Sequence, residues 1–450
     1  MTTENSTENR AETTVVVIGG GYAGVMAANR LTRDPQVRVD LVNPRPEFVD
    51  RVRLHQLAGG THAATADYRE LLAGRVRLVV GSVTRIDTAA RELELAGTDA
   101  RESHGQAQGH GHAQAQGKGQ GQGQGRKLAY DYLVYAVGSG SADPGVPGAA
   151  EFAYPLADLE ETHRLRTVLD DTPDTRTVTV VGAGPTGIET AAELAEQGRR
   201  VTLAAGGELG PYLHPKGRRA VARRLAALGV TVLTGPGARV AAVSRESVTL
   251  ADGRELPSAV TVWTVGFGVP DLAARSGLRT DALGRLLTDE TLTSVDDDRI
   301  VAAGDSAAPS GLPLRMSCQA ALPLGAHAAD TVLHRIAGER ATPIAMGFAG
   351  QCLSLGRKAG LFQVARKDDV ARGIHLSGRP AASIKEYVCA SIIKQLTREG
   401  QKPGSLTWEW LKDPERAERL RALTGTATVP TAPTTATAPT APAAPTAAHS

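Results

Sequence analysis

The segment TVVVIGGGYAG, residues 14–24, decides the fold of this chain. Its first part is an uninterrupted apolar run, which is typical of a strand buried on both faces of a parallel sheet. The run leads directly into Gly19, Gly21 and Gly24, which have the spacing GxGxxG. In such a turn the first glycine permits the bend, the second lets the backbone approach a pyrophosphate, and the third allows close helix–strand packing. The segment therefore predicts a helix N-terminus that binds the phosphates of a dinucleotide.

A second copy of this pattern lies further along the chain. The segment TVTVVGAGPTG, residues 177–187, has its glycines in the same spacing, at Gly182, Gly184 and Gly187. Each copy is followed by a helical pattern and then by a second apolar strand, at Val37–Val42 and at Val201–Ala204. A strand–turn–helix–strand unit that occurs twice predicts an α/β protein with two nucleotide-binding modules.

The residue that follows the second strand of each unit bears on ribose recognition. An acidic residue usually stands there and binds the ribose hydroxyls. This chain has Asn43 in the first unit, which can still hydrogen-bond a ribose, and Ala205 in the second. Ala205 does not repel a 2′-phosphate, and Arg218 and Arg219 follow it in the sequence. The choice between NADH and NADPH therefore stays open.

Composition excludes several classes of function. The 450 residues carry 50 Lys and Arg against 48 Asp and Glu, and this balance argues against a dedicated nucleic-acid binder. No apolar run approaches the length of about 18 residues that a transmembrane helix needs.

The polar N-terminus contains no secretory signal. The cysteines lie far apart in sequence and form neither a disulfide framework nor a CxxC pattern, at Cys318, Cys352 and Cys389. These features predict a cytoplasmic protein.

Three segments have compositions that cannot offset the entropy of ordering, and we predict them to be disordered. They are a leader at residues 1–13, a Gly/Gln/His insert at 103–126 and a Thr/Ala/Pro tail at 424–450. The insert contains histidines that could bind nickel or zinc, at His104, His110 and His112. It lacks cysteine and a carboxylate shell, so we favour an expanded hairpin loop and predict no metal site.

Two further predicted strands end beside a glycine or a glycine–aspartate pair that a cofactor could contact. The strand pattern YDYLVY leads into AVGS with Gly138, and RIVAAGDSA delivers Gly304 and Asp305 to a loop. A Gly-Asp pair commonly forms a turn. A carboxylate at the end of a buried strand also suits a hydroxylated ligand such as a ribityl chain, and the two glycine motifs favour that interpretation.

With these motifs the sequence resembles the FAD-dependent pyridine-nucleotide oxidoreductases that have two dinucleotide-binding domains. The resemblance covers most of residues 14–340 and rests on the order and spacing of GGGYAG, YDYLVYAVGS, GAGPTGIE, WTVGFGVPDLA and RIVAAGDSA. Within the superfamily the chain is most similar to the type II NADH dehydrogenase and apoptosis-inducing-factor-like branch. RPEFVDRVRLHQ and MSCQAALPLGAHAAD carry this narrower resemblance.

The resemblance implies two Rossmann-like domains, one for FAD and one for NAD(P)H, with the second inserted in the first. The FAD domain would comprise residues 14–142 and 269–340, and the NAD(P)H domain residues 143–268. A small α+β C-terminal domain would occupy residues 341–423.

The resemblance also implies which residues contact the cofactors. The residues expected at FAD are Gly19, Gly21, Gly24, Asn43, Gly138, Gly304 and Asp305. Those expected along NAD(P)H are Gly182, Gly184, Gly187, Glu189 and Gly266. Glu189 would lie near the nicotinamide as the candidate catalytic residue. A first-turn helix acid favoured by the helix dipole is the competing interpretation.

The electron acceptor is implied only in outline. Disulfide reductases of this superfamily carry a redox cysteine pair, which this chain lacks, so electrons should leave the flavin directly for an acceptor. Type II NADH dehydrogenases carry a quinone segment that resembles Cys318–Pro323, in which Gln319 is present and Pro323 replaces the second glutamine. We expect Pro323 near the first turn of a helix that continues through Ala326–Ile336.

The expected function is therefore an NAD(P)H oxidoreductase that passes hydride to FAD and electrons to a quinone or quinone-like acceptor. Two alternatives remain. One is a reductase of a ferredoxin-like carrier, and the other is an apoptosis-inducing-factor-like interaction protein switched by its redox state.

The C-terminal segment leaves membrane contact open. Strand patterns at Met346–Leu355 and Gly360–Ala365 precede a helical pattern at Ala381–Arg398, in which apolar positions alternate with Lys385 and other cations. A helix packed on the body of the protein or on a second copy is favoured, because the apolar stripe is modest and the basic face thin. Packing on a second copy would make the protein a homodimer. The alternative is peripheral contact with the inner face of the membrane.

Overall fold

The computed structural model describes residues 12–96 and 126–425. The first strand begins at Thr13, so the predicted leader ends slightly too late. Residues 1–11 of the leader, nearly all of the predicted insert and all but the first two residues of the predicted tail lie outside the described residues. The histidines of the insert, at His104, His110 and His112, also lie outside them.

The strands of the described residues are, in chain order, β1 Thr13–Ile18, β2 Val37–Asn43, β3 Glu47–Val49, β4 Thr65–Asp67, β5 Val76–Val80, β6 Val83–Asp87, β7 Glu92–Leu95, β8 Lys127–Ala129, β9 Tyr132–Tyr135, β10 Gly140–Ser141, β11 Ala153–Pro155, β12 Thr177–Val181, β13 Arg200–Ala204, β14 Thr231–Leu233, β15 Val240–Val243, β16 Ser247–Leu250, β17 Glu255–Pro257, β18 Val260–Trp263, β19 Phe267–Gly268, β20 Leu286–Thr288, β21 Ile300–Ala302, β22 Ala307–Pro309, β23 Gly350–Ser354, β24 Gly360–Ala365 and β25 Ala371–Gly378.

The α-helices are α1 Tyr22–Leu31, α2 Leu54–Ala58, α3 Tyr68–Leu71, α4 Ala149–Phe152, α5 Leu159–Asp171, α6 Pro185–Glu196, α7 Pro215–Ala227, α8 Leu272–Arg275, α9 Cys318–Ile336, α10 Arg379–Gln401 and α11 Arg416–Gly425. Short 3₁₀ helices lie at Arg51–Arg53, Pro236–Ala238, Gly304–Ser306 and Glu409–Leu411. Within the described part of the chain, no helix is both long enough and apolar enough to cross a bilayer.

The first glycine motif follows the central strand of a five-stranded parallel sheet in the order β21-β9-β1-β2-β5. Its centre is apolar and fully enclosed, as Val15, Val16 and Val17 show. Helix α1 packs along α9 on this sheet. The carboxyl end of β1 lies between β2 and β9, which is the position where α/β sheets of this type bind dinucleotides.

The second motif follows the central strand of an equivalent sheet in the order β11-β18-β12-β13-β14. The chain passes between the two units twice, and the two crossings pair with each other as β10 and β19. The last sheet, β23-β24-β25, is antiparallel and packs against α10. This architecture confirms the predicted fold class, while the predicted domain boundaries stay a proposal.

Helix α10 packs on the body of the protein, as favoured from its sequence. Asn29 of α1 donates from Nδ2 to the Leu396 carbonyl at 3.1 Å. Arg30 of α1 pairs with the buried Glu399 at 3.2 Å, and Glu399 also accepts the Gly404 N–H. A buried ion pair at this position fixes the helix to α1, because separating either partner would leave an unpaired buried charge.

The start of one helix differs from the predicted position. Helix α9 begins at Cys318, because the Ser317 hydroxyl caps it by accepting the Ala320 N–H at 3.3 Å. Pro323 therefore lies inside the helix rather than in its first turn. Its missing N–H leaves the Gln319 carbonyl without the usual helical donor.

Candidate active site

The first glycine turn has the tight geometry that its spacing predicts. Gly19 has φ +100°, and a Cβ at this position would lie 2.2 Å from the Ala136 carbonyl oxygen. A Cβ on Gly24 would lie 1.8 Å from the Gly19 carbonyl oxygen. Side chains are thus excluded at the first and third glycines by the backbone itself. A Cβ on Gly21 would meet nothing within 4 Å, so the second glycine borders open space.

Asn43 holds this turn in place. Its Oδ1 accepts the Gly20 N–H at 2.9 Å, and its Nδ2 donates to the Arg45 carbonyl at 2.9 Å. The Tyr68 hydroxyl donates to the Gly20 carbonyl at 2.8 Å. Both the oxygen and the nitrogen of the Asn43 side-chain amide thus form hydrogen bonds within the protein.

The second glycine turn repeats this geometry. Gly182 has φ +107°, and a Cβ on Gly187 would lie 1.9 Å from the Gly182 carbonyl oxygen. A Cβ on Gly184 would again meet nothing within 4 Å. The N–H of the first glycine donates to a carbonyl near the end of the second strand in both units, Val42 at 2.8 Å for Gly19 and Ala204 at 2.9 Å for Gly182. Both turns thus present a helix N-terminus beside open space, a site that attracts anionic phosphate.

A cavity of about 940 Å³ connects the two units. Its wall includes Tyr22 at the start of α1 and Pro185 at the start of α6. Eight of the predicted site residues line it: Gly19, Gly21, Asn43, Gly138, Glu189, Gly304, Asp305 and Gln319. The others lie outside the lining, at Gly24, Gly182, Gly184, Gly187 and Gly266.

Asp305 lies in a short polar chain on this wall. The Ser139 hydroxyl donates to Asp305 Oδ2 at 2.7 Å and accepts from Arg51 Nη1 at 3.1 Å. Gly304 before it has φ +67°, a conformation that favours glycine. Asp305 therefore presents an oriented carboxylate to the cavity, as its position after β21 predicts.

Glu189 belongs to a buried charged cluster that the sequence does not reveal. Its Oε1 lies 2.9 Å from Lys385 Nζ and accepts the Ser354 N–H at 2.9 Å. Its Oε2 lies 3.9 Å from Nδ1 of His55. Glu189, His55 and Lys385 all line the cavity, and the Lys385 side chain is only 12% exposed.

The charges in this cluster follow from burial and pairing. Burial alone would lower the pKa of Lys385, but neighbouring groups, with Glu189 foremost, together outweigh this effect and the pKa lies well above its usual value. Burial would raise the pKa of Glu189, yet Lys385 and the Ser354 N–H hold it below its usual value. Burial lowers the pKa of His55 to about 4. At neutral pH the cluster therefore contains an ammonium, a carboxylate and a neutral imidazole.

The comparison with known proteins agrees with this geometry. The sequence profile of the pyridine nucleotide-disulphide oxidoreductase family matches residues 13–328. The chain belongs to this family. The family resemblance predicted from the motifs is thereby confirmed.

Two relatives and one solved structure extend the comparison of this oxidoreductase. An NADH dehydrogenase-like protein of Mycobacterium tuberculosis is 30% identical over 409 residues, covering 84% of this chain and 93% of that protein. A type II NADH:quinone oxidoreductase of the same organism is 27% identical, covering 72% of this chain and 73% of that protein. The structure of NDH2 from Plasmodium falciparum in complex with NADH has a TM-score of 0.68 at 14% identity, covering 88% of this chain and 99% of that one. At this identity the likeness shows the fold alone.

The cysteines of this oxidoreductase meet at the cavity although they lie far apart in sequence. All three free thiols line its wall, at Cys318, Cys352 and Cys389. They are close enough to interact electrostatically, although each is a free thiol and no disulfide joins them. Burial raises the pKa of Cys318 to about 12 and that of Cys389 to about 11, and the thiols are therefore protonated at neutral pH.

Lys385 lies in the candidate site although its sequence context does not predict this. The sequence pattern assigns it to a basic helix face, but it projects into the cavity one helical turn before the buried Cys389. A signal was present, since Lys385 shares the helical stripe of Val388, Cys389 and Ile392, all of which line the cavity. The position of Lys385 within this apolar stripe, and not its charge, predicts that its ammonium lies on the buried side of the helix.

Proposed function

We propose that this oxidoreductase transfers two electrons from NAD(P)H through FAD to a quinone. The observation that carries the proposal is the single cavity onto which the N-termini of α1 and α6 both open, at Tyr22 and at Pro185. The names of the relatives, NADH dehydrogenase-like protein and type II NADH:quinone oxidoreductase, support the same reaction. The balanced reaction is NAD(P)H + H⁺ + quinone → NAD(P)⁺ + quinol.

The first unit fits FAD. The open space beside Gly21 would accommodate the pyrophosphate at the N-terminus of α1, where unpaired N–H groups and the helix dipole favour negative charge. Asp305 would accept a hydrogen bond from a ribityl hydroxyl. Gln319 Oε1 is buried and has no hydrogen-bond partner among the described residues, so a ligand would satisfy it. FAD bound at this site would supply the redox chemistry between NAD(P)H and the quinone.

The second unit fits NAD(P)H by the same argument. The turn from Gly182 to Gly187 would hold the pyrophosphate at the N-terminus of α6, with Gly184 leaving the space for it. Pro185 and Thr186 line the shared cavity, so this binding site would extend into it. Glu189 follows them on the same helix, so the buried cluster lies where the second unit meets the first.

Lys385 places a fixed positive charge on the cavity wall. Nζ donates one of its hydrogen bonds to Glu189 and can direct another at a quinone oxygen, which gains negative charge as it is reduced. Glu189 acts as a positioning residue, because it keeps Lys385 protonated and oriented. Peripheral contact between the C-terminal domain and a membrane stays part of the proposal.

Turnover with a soluble quinone tests the proposed function. We expect the FAD-loaded protein to oxidise NADH or NADPH and to form quinol in a one-to-one ratio, measured by nicotinamide and quinone absorbance under nitrogen. The same preparation assayed with a ferredoxin in place of quinone provides the comparison. Fast reduction of the ferredoxin with negligible quinol formation would reject the quinone as acceptor.

A further inference from the structure

The loop that follows β13 has no acidic residue at its ribose-facing position. The strand ends at Ala204, and Ala205, Gly206 and Gly207 follow it. Hydrogen bonds join this loop to the end of β14: the Ala205 N–H donates to the Leu233 carbonyl and the Gly235 N–H to the Gly207 carbonyl, each at 2.8 Å. The position that selects NADH in units of this type therefore offers neither a carboxylate to bind the 2′-hydroxyl nor one to repel a 2′-phosphate.

Arg239 lies directly against this loop. A Cβ built on Gly206 would be 3.3 Å from Arg239 Cα, 3.5 Å from its Cβ and 3.7 Å from its Cγ. The backbone of Arg239 is fixed at both ends, since its N–H donates to Pro236 at 3.2 Å and its carbonyl accepts the Ala251 N–H at 2.7 Å. The side chain thus starts from a rigid position next to the end of β13.

The guanidinium of Arg239 is available, whereas that of Arg218 is not. Arg239 is exposed and forms no side-chain hydrogen bond or ion pair with the residues that the structure describes. Arg218 is occupied by the Glu208 carboxylate and by two carbonyls, Leu209 at 2.8 Å and Leu213 at 3.1 Å. Its pairing with Glu208 also neutralises the nearest acid that follows Ala205 in the sequence.

We propose that Arg239 binds the 2′-phosphate of NADPH and makes NADPH the preferred electron donor of this oxidoreductase. The inference rests on the proposed function, because it assigns the cofactor of the second unit. A guanidinium binds phosphate through two parallel charge-assisted hydrogen bonds, which discriminate strongly against the 2′-hydroxyl of NADH. The small residues at 205–207 leave room for this phosphate.

Binding of nucleotide fragments tests the assignment independently of turnover. We expect the FAD-loaded protein to bind adenosine 2′,5′-bisphosphate at least about tenfold more tightly than 5′-AMP in isothermal titration calorimetry, as charged hydrogen bonds predict. Arg239→Ala should abolish this difference and leave 5′-AMP binding unchanged. Ala205→Glu should also weaken the bisphosphate, since it restores the repelling carboxylate.

The matched control is Arg223→Ala, which removes another exposed arginine from the same domain and should preserve the discrimination. Equal binding of the two nucleotides to the natural protein would overturn the inference while leaving the proposed function intact. If Arg239→Ala still binds adenosine 2′,5′-bisphosphate more tightly than 5′-AMP by the same factor, the inference is overturned as well. A protein that binds neither nucleotide and is reduced by neither NADH nor NADPH would overturn both.

Discussion

Valine at position 21 is expected to give a folded protein that cannot retain FAD. Gly21 has φ −79° and ψ −167°, which valine adopts without strain, and a Cβ there meets no protein atom within 4 Å. The new side chain would fill the space at the N-terminus of α1 where the pyrophosphate is to bind. Flavin absorbance per protein after purification with added FAD measures the loss, and circular dichroism verifies the fold.

Valine at position 184 is the matched variant in the second unit. Gly184 has φ −73°, ψ −179° and the same open surroundings. We expect Gly184→Val to stay yellow but to resist bleaching by NADH or NADPH, because its FAD site is intact. Gly24 and Gly187 give the opposite control, since a side chain at either position meets backbone and should prevent folding. Full retention of FAD by Gly21→Val would contradict the assignment of the first unit.

Replacing Lys385 with methionine is expected to slow quinone reduction by about 100-fold, the scale of one lost electrostatic donor at a reaction centre. Reduction by NAD(P)H should be affected far less, because it places no negative charge on a quinone oxygen. Stopped-flow absorbance of the flavin separates the two half-reactions. Lys394→Met, which removes an exposed cation from the same helix, should leave both rates unchanged. Equal rates in Lys385→Met and the natural protein would reject this role.

Glu189→Gln tests whether the carboxylate acts through Lys385. Glu189 raises the pKa of Lys385 against the lowering effect of burial. Without the carboxylate, burial dominates and Lys385 loses its proton at a lower pH. The rate of quinone reduction in Glu189→Gln should therefore decline with rising pH earlier than in the natural protein, whereas a purely structural role would leave the pH profile unshifted.

The glycine turns could be predicted from the sequence because their requirements are local. The positive φ of Gly19 and the close approach of Gly24 to the Gly19 carbonyl involve only backbone within a few residues. The spacing of the glycines is therefore enough to predict both features. The Glu189–Lys385 pair could not be predicted in this way. Its partners lie far apart in sequence, on α6 and α10, and a pattern of polarity assigns a lysine to the solvent side unless a buried partner is known.

Strand β25 also could not be predicted from the sequence, because its apolar residues do not face the core. A half-buried strand is recognised by alternation of apolar and polar residues, with the apolar ones facing the core. In β25 the apolar side chains are the exposed ones, Ile374 at 63% and Leu376 at 41%. Only these two residues form the alternating pattern, which is too short to predict a strand, and the register with β24 is set by backbone pairing.

An anaerobic titration of the flavin tests the central claim most directly. The purified FAD-loaded protein is titrated with NADH or NADPH while the flavin band is recorded, and a soluble quinone is then added. We expect one equivalent of nicotinamide to bleach one flavin and one equivalent of quinone to restore it, because both units open onto one cavity. A protein that binds no FAD, or a reduced flavin that quinone does not reoxidise, would contradict this account.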